Sequence, residues 1–534
     1  MIIGVFGGLG LFLYGLRLMG EGLENIAGDR LKAISEKIGT NMFIAVLVGT
    51  GVTAVIQSSS AATVMVVGFV NAGLMNLYQA SGMIMGANIG TTLTTQLVSF
   101  NLEPAAPIAA AIGAAIVLSS KGKKDREIGN IIFGVGILFF GMGLMEDSMS
   151  ILKASYKFIQ ALDYIGSSWI IGLAAGIAVT IIVQSSTATT ALLIALAGTG
   201  VIKLDLAIPF ILGSNIGTCV TALLSSIGTS SSGKKAAFIH LIFNLVGTIL
   251  FLPLKHYFID VAQWINTGTD PDSIKRQIAN VHTILKILNT LVLFPFIKYL
   301  VDFINRLIPG DDDREYMTIK YIDDRFLETP VVAVGQMIKE TIGMAKKAKE
   351  NVEIAMQSFW TDDEVSIGQV YENEKTINIL EQEITSYLVK LSNTQLSEQQ
   401  LEIVTSTFHI VNDIERIGDH AENLADLTSE KIVKKVEFTK DALDDLMHMF
   451  KCTLSALQTS IESYEKHDIE KAESVAAIEE RIDVLEKSLR SAHIKRLNSG
   501  ICSAYSSAIY LDIISNLERI GDHSTNIAET VLER

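Results

Sequence analysis

Two tetrads of amide and hydroxyl side chains, Gln57-Ser58-Ser59-Ser60 and Gln184-Ser185-Ser186-Thr187, interrupt otherwise apolar stretches near residues 42–76 and 168–202. They offer uncharged ligands: N–H and O–H groups donate to an anion, and carbonyl or hydroxyl oxygens coordinate a hard cation. A helix resuming after each tetrad would aim its N-terminal N–H groups at the same place. Between Lys37 and Lys121 there is no Lys or Arg and the only acid is Glu103; between Asp163 and Lys203 there is no charged residue. With no fixed positive side chain in these stretches, a bound anion must be balanced by helix ends and by cations that travel with it. That chemistry is cation-coupled anion transport. The alternative is packing, because hydroxyls and small residues are ordinary at membrane helix interfaces.

The tetrads recur in register. Gln184 follows Gln57 at an offset of 127, and GSNIGTCVTA at 213–222 follows GANIGTTLTT at 86–95 at the same offset, with six identities in ten. GLGLFLYGLRLM from Gly8 and GVGILFFGMGLM from Gly134 are offset by 126. Asn88, Thr91, Thr92, Asn215 and Thr218 in the second motif either line an unwound part of the site or belong to a Gly-bent packing helix. Glu146, Asp147, Asp163 and His240 read as solvated or locally satisfied.

The elements that must position these groups are membrane helices. About 20 apolar residues cross a hydrocarbon core of about 30 Å, and segments near 2–20, 80–98, 104–119, 128–146, 207–227, 236–253 and 281–308 qualify. Each interrupted stretch has flanks of about 15 residues, enough to reach mid-bilayer and return as a re-entrant hairpin. Three crossings per repeat then invert the second copy relative to the first, an arrangement found in transporters. The basic loop KGKKDRE at 121–127 and Lys234-Lys235 share a side with everything after residue 309, which the positive-inside rule makes cytoplasmic.

Composition divides the chain. Of 43 Lys+Arg and 58 Asp+Glu, positions 1–310 hold 19 and 15, a net +4, and positions 311–534 hold 24 and 43, a net -19 at almost three times the charge density. The low-charge half reads as membrane and the acidic half as a soluble tail. No clustered basic face suits nucleic acid. Cys219, Cys452 and Cys502 lack the spacing of a disulfide framework or a thiolate metal site. The N-terminus goes straight into an apolar run without a basic leader, which predicts a retained helix. No G-x-S-x-G, HExxH or Walker pattern supports an enzyme.

The tail opens after Pro309-Gly310 with Asp311-Asp312-Asp313. Heptad-like patterns and capping boxes at Thr361 to Glu364 and Ser397 to Gln400 predict about six helices. DIERIGDHAENLA from Asp413 matches NLERIGDHSTNIA from Asn516 at an offset of 103, which predicts two three-helix bundles. Glu415 with Asp419 and Glu518 with Asp522 stand four apart on one helix face. A cation between the carboxylates, with His420 and His523 as added ligands, is one remedy for their repulsion; ion pairs with Arg416 and Arg519 are the other.

The duplicated QSSSA and QSSTA segments, with GANIGTT and GSNIGTC, resemble the sodium/phosphate cotransporter family over residues 1–308, in its bacterial branch. That resemblance implies sodium-driven phosphate transport, with Gln57, Ser58, Ser59, Ser60, Gln184, Ser185, Ser186 and Thr187 as phosphate and sodium ligands, and Asn88, Thr91, Thr92, Asn215 and Thr218 joining them. The tail, over residues 330–534, resembles the PhoU-like regulators, which implies a six-helix domain whose ExxxD positions bind a divalent or iron cation. The expectation is therefore an all-α polytopic protein of the bacterial inner membrane. A transport domain spans 1–308, with repeats at about 1–120 and 128–253 and an extra helix at 281–308, then a linker at 309–329 and a cytoplasmic regulatory domain at 330–534. Its partners are inorganic phosphate, sodium and the lipid bilayer, with the acidic tail open to a second copy or a regulatory protein. Export, another oxyanion, or a membrane-tethered sensor of metal or partner are the alternative readings.

Overall fold

The computed structural model describes residues 2–36, 41–152, 155–166, 168–310 and 319–533. Among them every regular element is helical. Contacts divide the chain into two compact units, Met1–Arg314 and Glu315–Arg534.

In the first unit the helices are α1 Ile2–Glu36, α2 Met42–Ile56, α3 Ser59–Asn71, α4 Leu77–Val98, α5 Ala106–Ser119, α6 Lys123–Leu152, α7 Tyr156–Gly166, α8 Trp169–Val183, α9 Ser186–Gly198, α10 Leu204–Gly217, α11 Cys219–Ser225, α12 Ser231–Phe251, α13 Lys255–Ile265, α14 Pro271–Leu293 and α15 Ile297–Leu307. Among the described residues five stretches are long and apolar enough to cross a membrane: Ile3–Ala27, Lys123–Ile151, Leu204–Ser225, Ser231–Ile265 and Pro271–Leu307. Two further pairs, α4 with Glu103–Ser119 and α7 with α8, are bent by 75° and 110°. The expected crossing at 281–308 starts earlier, at Pro271, because an Asp270 N-cap and a proline at N1 start a helix whose first turns are polar.

Helix bounds repeat. Those of α2 and α3 return at the offset of 127 in α8 and α9, and those of α4 return in α10 and α11 together. So does their packing. A side chain at Gly86 would run into the Val46 carbonyl and Thr50, and one at Gly213 into the Leu173 carbonyl and Ile177; Gly90 meets Thr53 as Gly217 meets Thr180. Small residues bring each pair of helices into backbone contact, which is how helices associate without a hydrophobic drive. α1 and α6 also touch at glycines, and run antiparallel: Gly8 lies against Met145 and Gly134 against Met19, while Gly15 lies against Leu138 and Gly141 against Phe12.

The second unit contains α16 Pro330–Thr361, α17 Glu364–Ser392, α18 Glu398–Lys434, α19 Lys440–Lys466, α20 Ile469–Asn498 and α21 Ala504–Leu532. α16, α17 and α18 pack on one another, as do α19, α20 and α21; α18 and α21 join the two sets. Ser397 with Gln400 forms the expected capping box. Thr361 does not: it is the last residue of α16, Asp362 follows in the left-handed conformation, and Asp363 caps α17. Asp at N-cap outcompetes a threonine already bonded back to the Gln357 carbonyl. Within the expected linker 309–329, the Glu340 carboxylate accepts from the backbone N–H groups of Lys320, Tyr321 and Ile322, so these residues belong to the second unit.

Candidate functional site

Both tetrads are helix breaks of the same form. α2 ends on Gln57 at φ 59°, ψ 17°, and α8 ends on Gln184 at φ 56°, ψ 21°. The left-handed region favours glycine and costs other residues about 1–2 kcal/mol, so two glutamines there hold their side chains at a position whose backbone does not want them. The next serine starts the following helix: Ser58 accepts from Ala61 N and Ser185 from Ala188 N, each at 3.1 Å. Ser59, Ser186 and Thr187 are buried and Ser60 is half-buried. The two glutamines differ. Gln57 is half-buried, accepts from Thr94 Oγ1 and donates to the Ala54 carbonyl. Gln184 is exposed, and its side chain has no hydrogen-bond partner among the described residues. α4 packs on both α3 and α9, the helices that leave the two breaks.

Asn88, Thr91, Thr92, Asn215 and Thr218 are all buried. The NIGT segment is not unwound in the first copy; it lies inside α4. In the second, α10 and α11 meet at Thr218, which keeps right-handed helical angles. Thr91, Thr92 and Thr218 donate to their own helix at the carbonyls of Ala87, Ile89 and Ser214. Of the other groups, Glu146 pairs with Lys275 at 2.7 Å and Asp147 is exposed, whereas His240 is buried with Nδ1 unbonded. The side chain of Asp163 lies outside the described residues. Lys235, expected as a loop charge, is buried in α12 and donates to the Gly310 carbonyl at 3.2 Å.

A fixed charge from outside the two uncharged stretches reaches the second motif. Lys286 of α14 is buried, and its Nζ donates to Asn88 Oδ1 at 2.5 Å and to Asn244 Oδ1 at 3.2 Å. One turn away, His282 Nδ1 lies 3.1 Å from Thr95 Oγ1. Neither stands out in the sequence, because α14 is apolar enough on average to cross a bilayer and its neighbours hide a single lysine. The signal available was a lysine within a run otherwise long enough to cross a bilayer, which is rarely without a partner.

In the tail, the histidines turn away from the carboxylates of their own ExxxD motifs. His420 Nδ1 bonds Asn516 Oδ1 and His523 Nδ1 bonds Asp413 Oδ1, each at 2.8 Å, with the rings 5.7 Å apart. They tie α18 to α21, and burial holds the His420 imidazole below its ordinary value. Acids from α17 and α20 take their place beside the motifs. Oxygens of Glu479, Asp483 and Asp522 all lie within 4.8 Å of one another. Glu374, buried beside Gly418, has its carboxyl pushed up to about 8, first by burial and then by the charges of Asp419, Glu422 and Glu415. Burial also raises Glu415, Glu518 and Asp522. Arg416 reaches Glu415 and Asp419 only at 3.8 and 3.7 Å. Glu374 and Glu479 lie outside the ExxxD motifs, and the only sequence signal for them is a spacing close to the offset of the tail repeat.

Residues 11–147 and 150–264 match the Na+/Pi-cotransporter family, and residues 341–428 and 446–531 match the PhoU domain. The chain is 22% identical over 536 residues to the "Putative inorganic phosphate export protein YjbB" of Escherichia coli O157:H7, covering 100% of this chain and 98% of that protein. The tail is 30% identical over 186 residues to the phosphate-specific transport system accessory protein PhoU homolog 1 of Thermotoga maritima, covering 34% of this chain and 78% of the relative. PhoU from Pseudomonas aeruginosa is a structural neighbour at TM-score 0.35 and 23% identity, over 37% of this chain and 93% of the other.

Proposed function

This chain belongs to the Na+/Pi-cotransporter family and carries a C-terminal PhoU domain, and from that premise we propose that it moves inorganic phosphate across the bacterial inner membrane in symport with sodium. Gln57, Ser58, Ser59 and Ser60 with Gln184, Ser185, Ser186 and Thr187 bind phosphate and sodium, and the tail regulates from the cytoplasm. The observation that carries the reading is the paired break, in which two glutamines at equivalent positions of the repeat are held left-handed before matching serine caps. The same conformation ends α16, α18 and α19 at Asp362, Lys435 and His467, so what supports the reading is its recurrence at equivalent positions of the repeat, each time on a glutamine and before a serine cap.

Inverted repeats are supported by the antiparallel contact of α1 with α6, in which each residue pair recurs with the partners exchanged, as a two-fold axis along the bilayer requires. Flanks of 15 and 13 residues around the first break, about 22 and 20 Å long, suit a hairpin that enters and returns on one side. Asn88 and Asn215 adjoin the ion pathway. Thr91, Thr92 and Thr218 spend their hydroxyl protons within their own helices and offer only their oxygens.

In the tail, Glu415 with Asp419 and Glu518 with Asp522 form the motifs of two cation sites, joined by Glu374 on one side and by Glu479 and Asp483 on the other. An all-oxygen donor set suits a hard divalent or iron cation, and bringing one in relieves the mutual repulsion that adds to burial in raising Glu374, Glu415, Glu518 and Asp522.

Export is a second reading, favoured by the name of the Escherichia coli relative that matches end to end. Labelled phosphate flux in proteoliposomes, with the sodium gradient imposed inward, outward or absent, separates the two. Flux that follows the sodium gradient supports symport. Phosphate flux indifferent to sodium refutes the coupling, and lowered cell phosphate on overexpression favours export.

A further inference from the structure

We propose that Lys286 is a tethered cation of the transport site: its ammonium fills, from α14, the cation position that Asn88 offers in the first repeat, and Asn215 of the second repeat is left for a mobile monovalent cation. The proposal rests on the phosphate-transport reading above and adds a fixed charge to it.

The ligands around Lys286 are oriented for a cation. Asn88 Nδ2 is committed to the Ile84 carbonyl at 2.9 Å, so its Oδ1 is the atom turned to Lys286. Asn244 Nδ2 is committed to the His240 carbonyl at 3.0 Å and to Cys219 Sγ at 3.4 Å, so again Oδ1 faces the ammonium. No carboxylate of the described residues lies within 4.0 Å of Lys286 Nζ, whereas buried Lys275 in the same helix has Glu146, Asp272 and Glu103 around it. A buried ammonium on neutral carbonyl oxygens alone is poorly compensated. Sodium sites are built from such oxygens, and the ammonium differs from the ion mainly in being attached to the chain.

The repeat supplies the second observation. Asn88 and Asn215 are equivalent at the offset of 127. Asn88 Oδ1 has Lys286, but Asn215 Oδ1, equally buried, has no hydrogen-bond partner. The two lie in one bonded network, because Cys219 donates to the Asn215 backbone carbonyl at 3.4 Å and accepts from Asn244. A chain that folds with one equivalent oxygen on an ammonium and the other open brings one positive charge of its own toward an anion, and needs one fewer from solution.

Counting sodium tests this without relying on transport. Purified full-length protein in nanodiscs, without phosphate, is titrated with radioactive sodium. Lys286→Ser, which frees both carbonyl oxygens, is expected to bind about one more sodium per chain than wild type, and to need at least about tenfold more phosphate for half-maximal binding at low sodium than at high sodium. An unchanged sodium count overturns the proposal. Should Lys286→Ser fail to fold, Lys286→Ala, which also removes every donor from the two oxygens, is read in proteoliposomes: a Hill coefficient for sodium raised by about one supports the tethered cation, and an unchanged coefficient overturns it. Wild-type phosphate flux indifferent to sodium would refute the symport reading instead, and the sodium count of the Lys286→Ser protein would still decide this one.

Discussion

Replacing Gln184 by glycine separates what the second break does for the fold from what it does for transport. Gln184 sits at φ 56°, where a non-glycine residue is strained by about 1–2 kcal/mol, and glycine removes that strain. Against this, glycine has more freedom to lose on folding, worth about 0.4–1 kcal/mol. The exposed Gln184 side chain bonds to no described residue, so no hydrogen bond is forfeited. Gln184→Gly is therefore expected to be as stable as wild type or up to about 1.6 kcal/mol more stable, with phosphate flux abolished. Gln57→Gly shares the backbone gain but loses the bonds to Thr94 and Ala54, each worth about 1 kcal/mol, so it should come out about 0.4–2 kcal/mol less stable. Thermal unfolding in detergent and phosphate flux in proteoliposomes are the two readouts. Gln184→Gly protein that transports at the wild-type rate would refute the assignment of this break to the site, and a loss of stability well beyond about 1 kcal/mol would refute the strain argument.

Gly86→Ala drives a methyl into the Val46 carbonyl and should cost about 1–3 kcal/mol with loss of transport, measured by folded yield and flux; Gly213→Ala should behave alike, and Gly10→Ala, at an open position, should not. The Glu374 carboxyl is raised to about 8 in the fold from 4.5, so the folded tail binds the extra proton and the resulting stability, full at low pH, is lost as pH rises through about 8. Glu374→Gln should flatten that slope in metal-free denaturation curves and be the more stable protein above that pH. Asp483→Asn should lower the metal retained by the tail, measured by elemental analysis after dialysis, without changing its helical circular dichroism; unchanged metal content would count against the α20–α21 cluster.

The sequence by itself carried the duplicated tetrads, the helices on either side of them and the two-part division, because apolar length, capping residues and a repeat offset are properties of neighbours along the chain. The bounds of α2 and α3 return in α8 and α9 at the offset read from Gln57 and Gln184. What the chain could not disclose was convergence. Lys286 meets Asn88 and His420 meets Asn516, partners remote along the chain. Neither partner is implied by local spacing, and hydropathy counts Lys286 as one polar residue diluted among apolar ones. Only the packing of α14 against α4 and α12 settles that its charge is buried on two carbonyl oxygens, since which side chains share a low-dielectric interior depends on helices that are distant in sequence and adjacent in space.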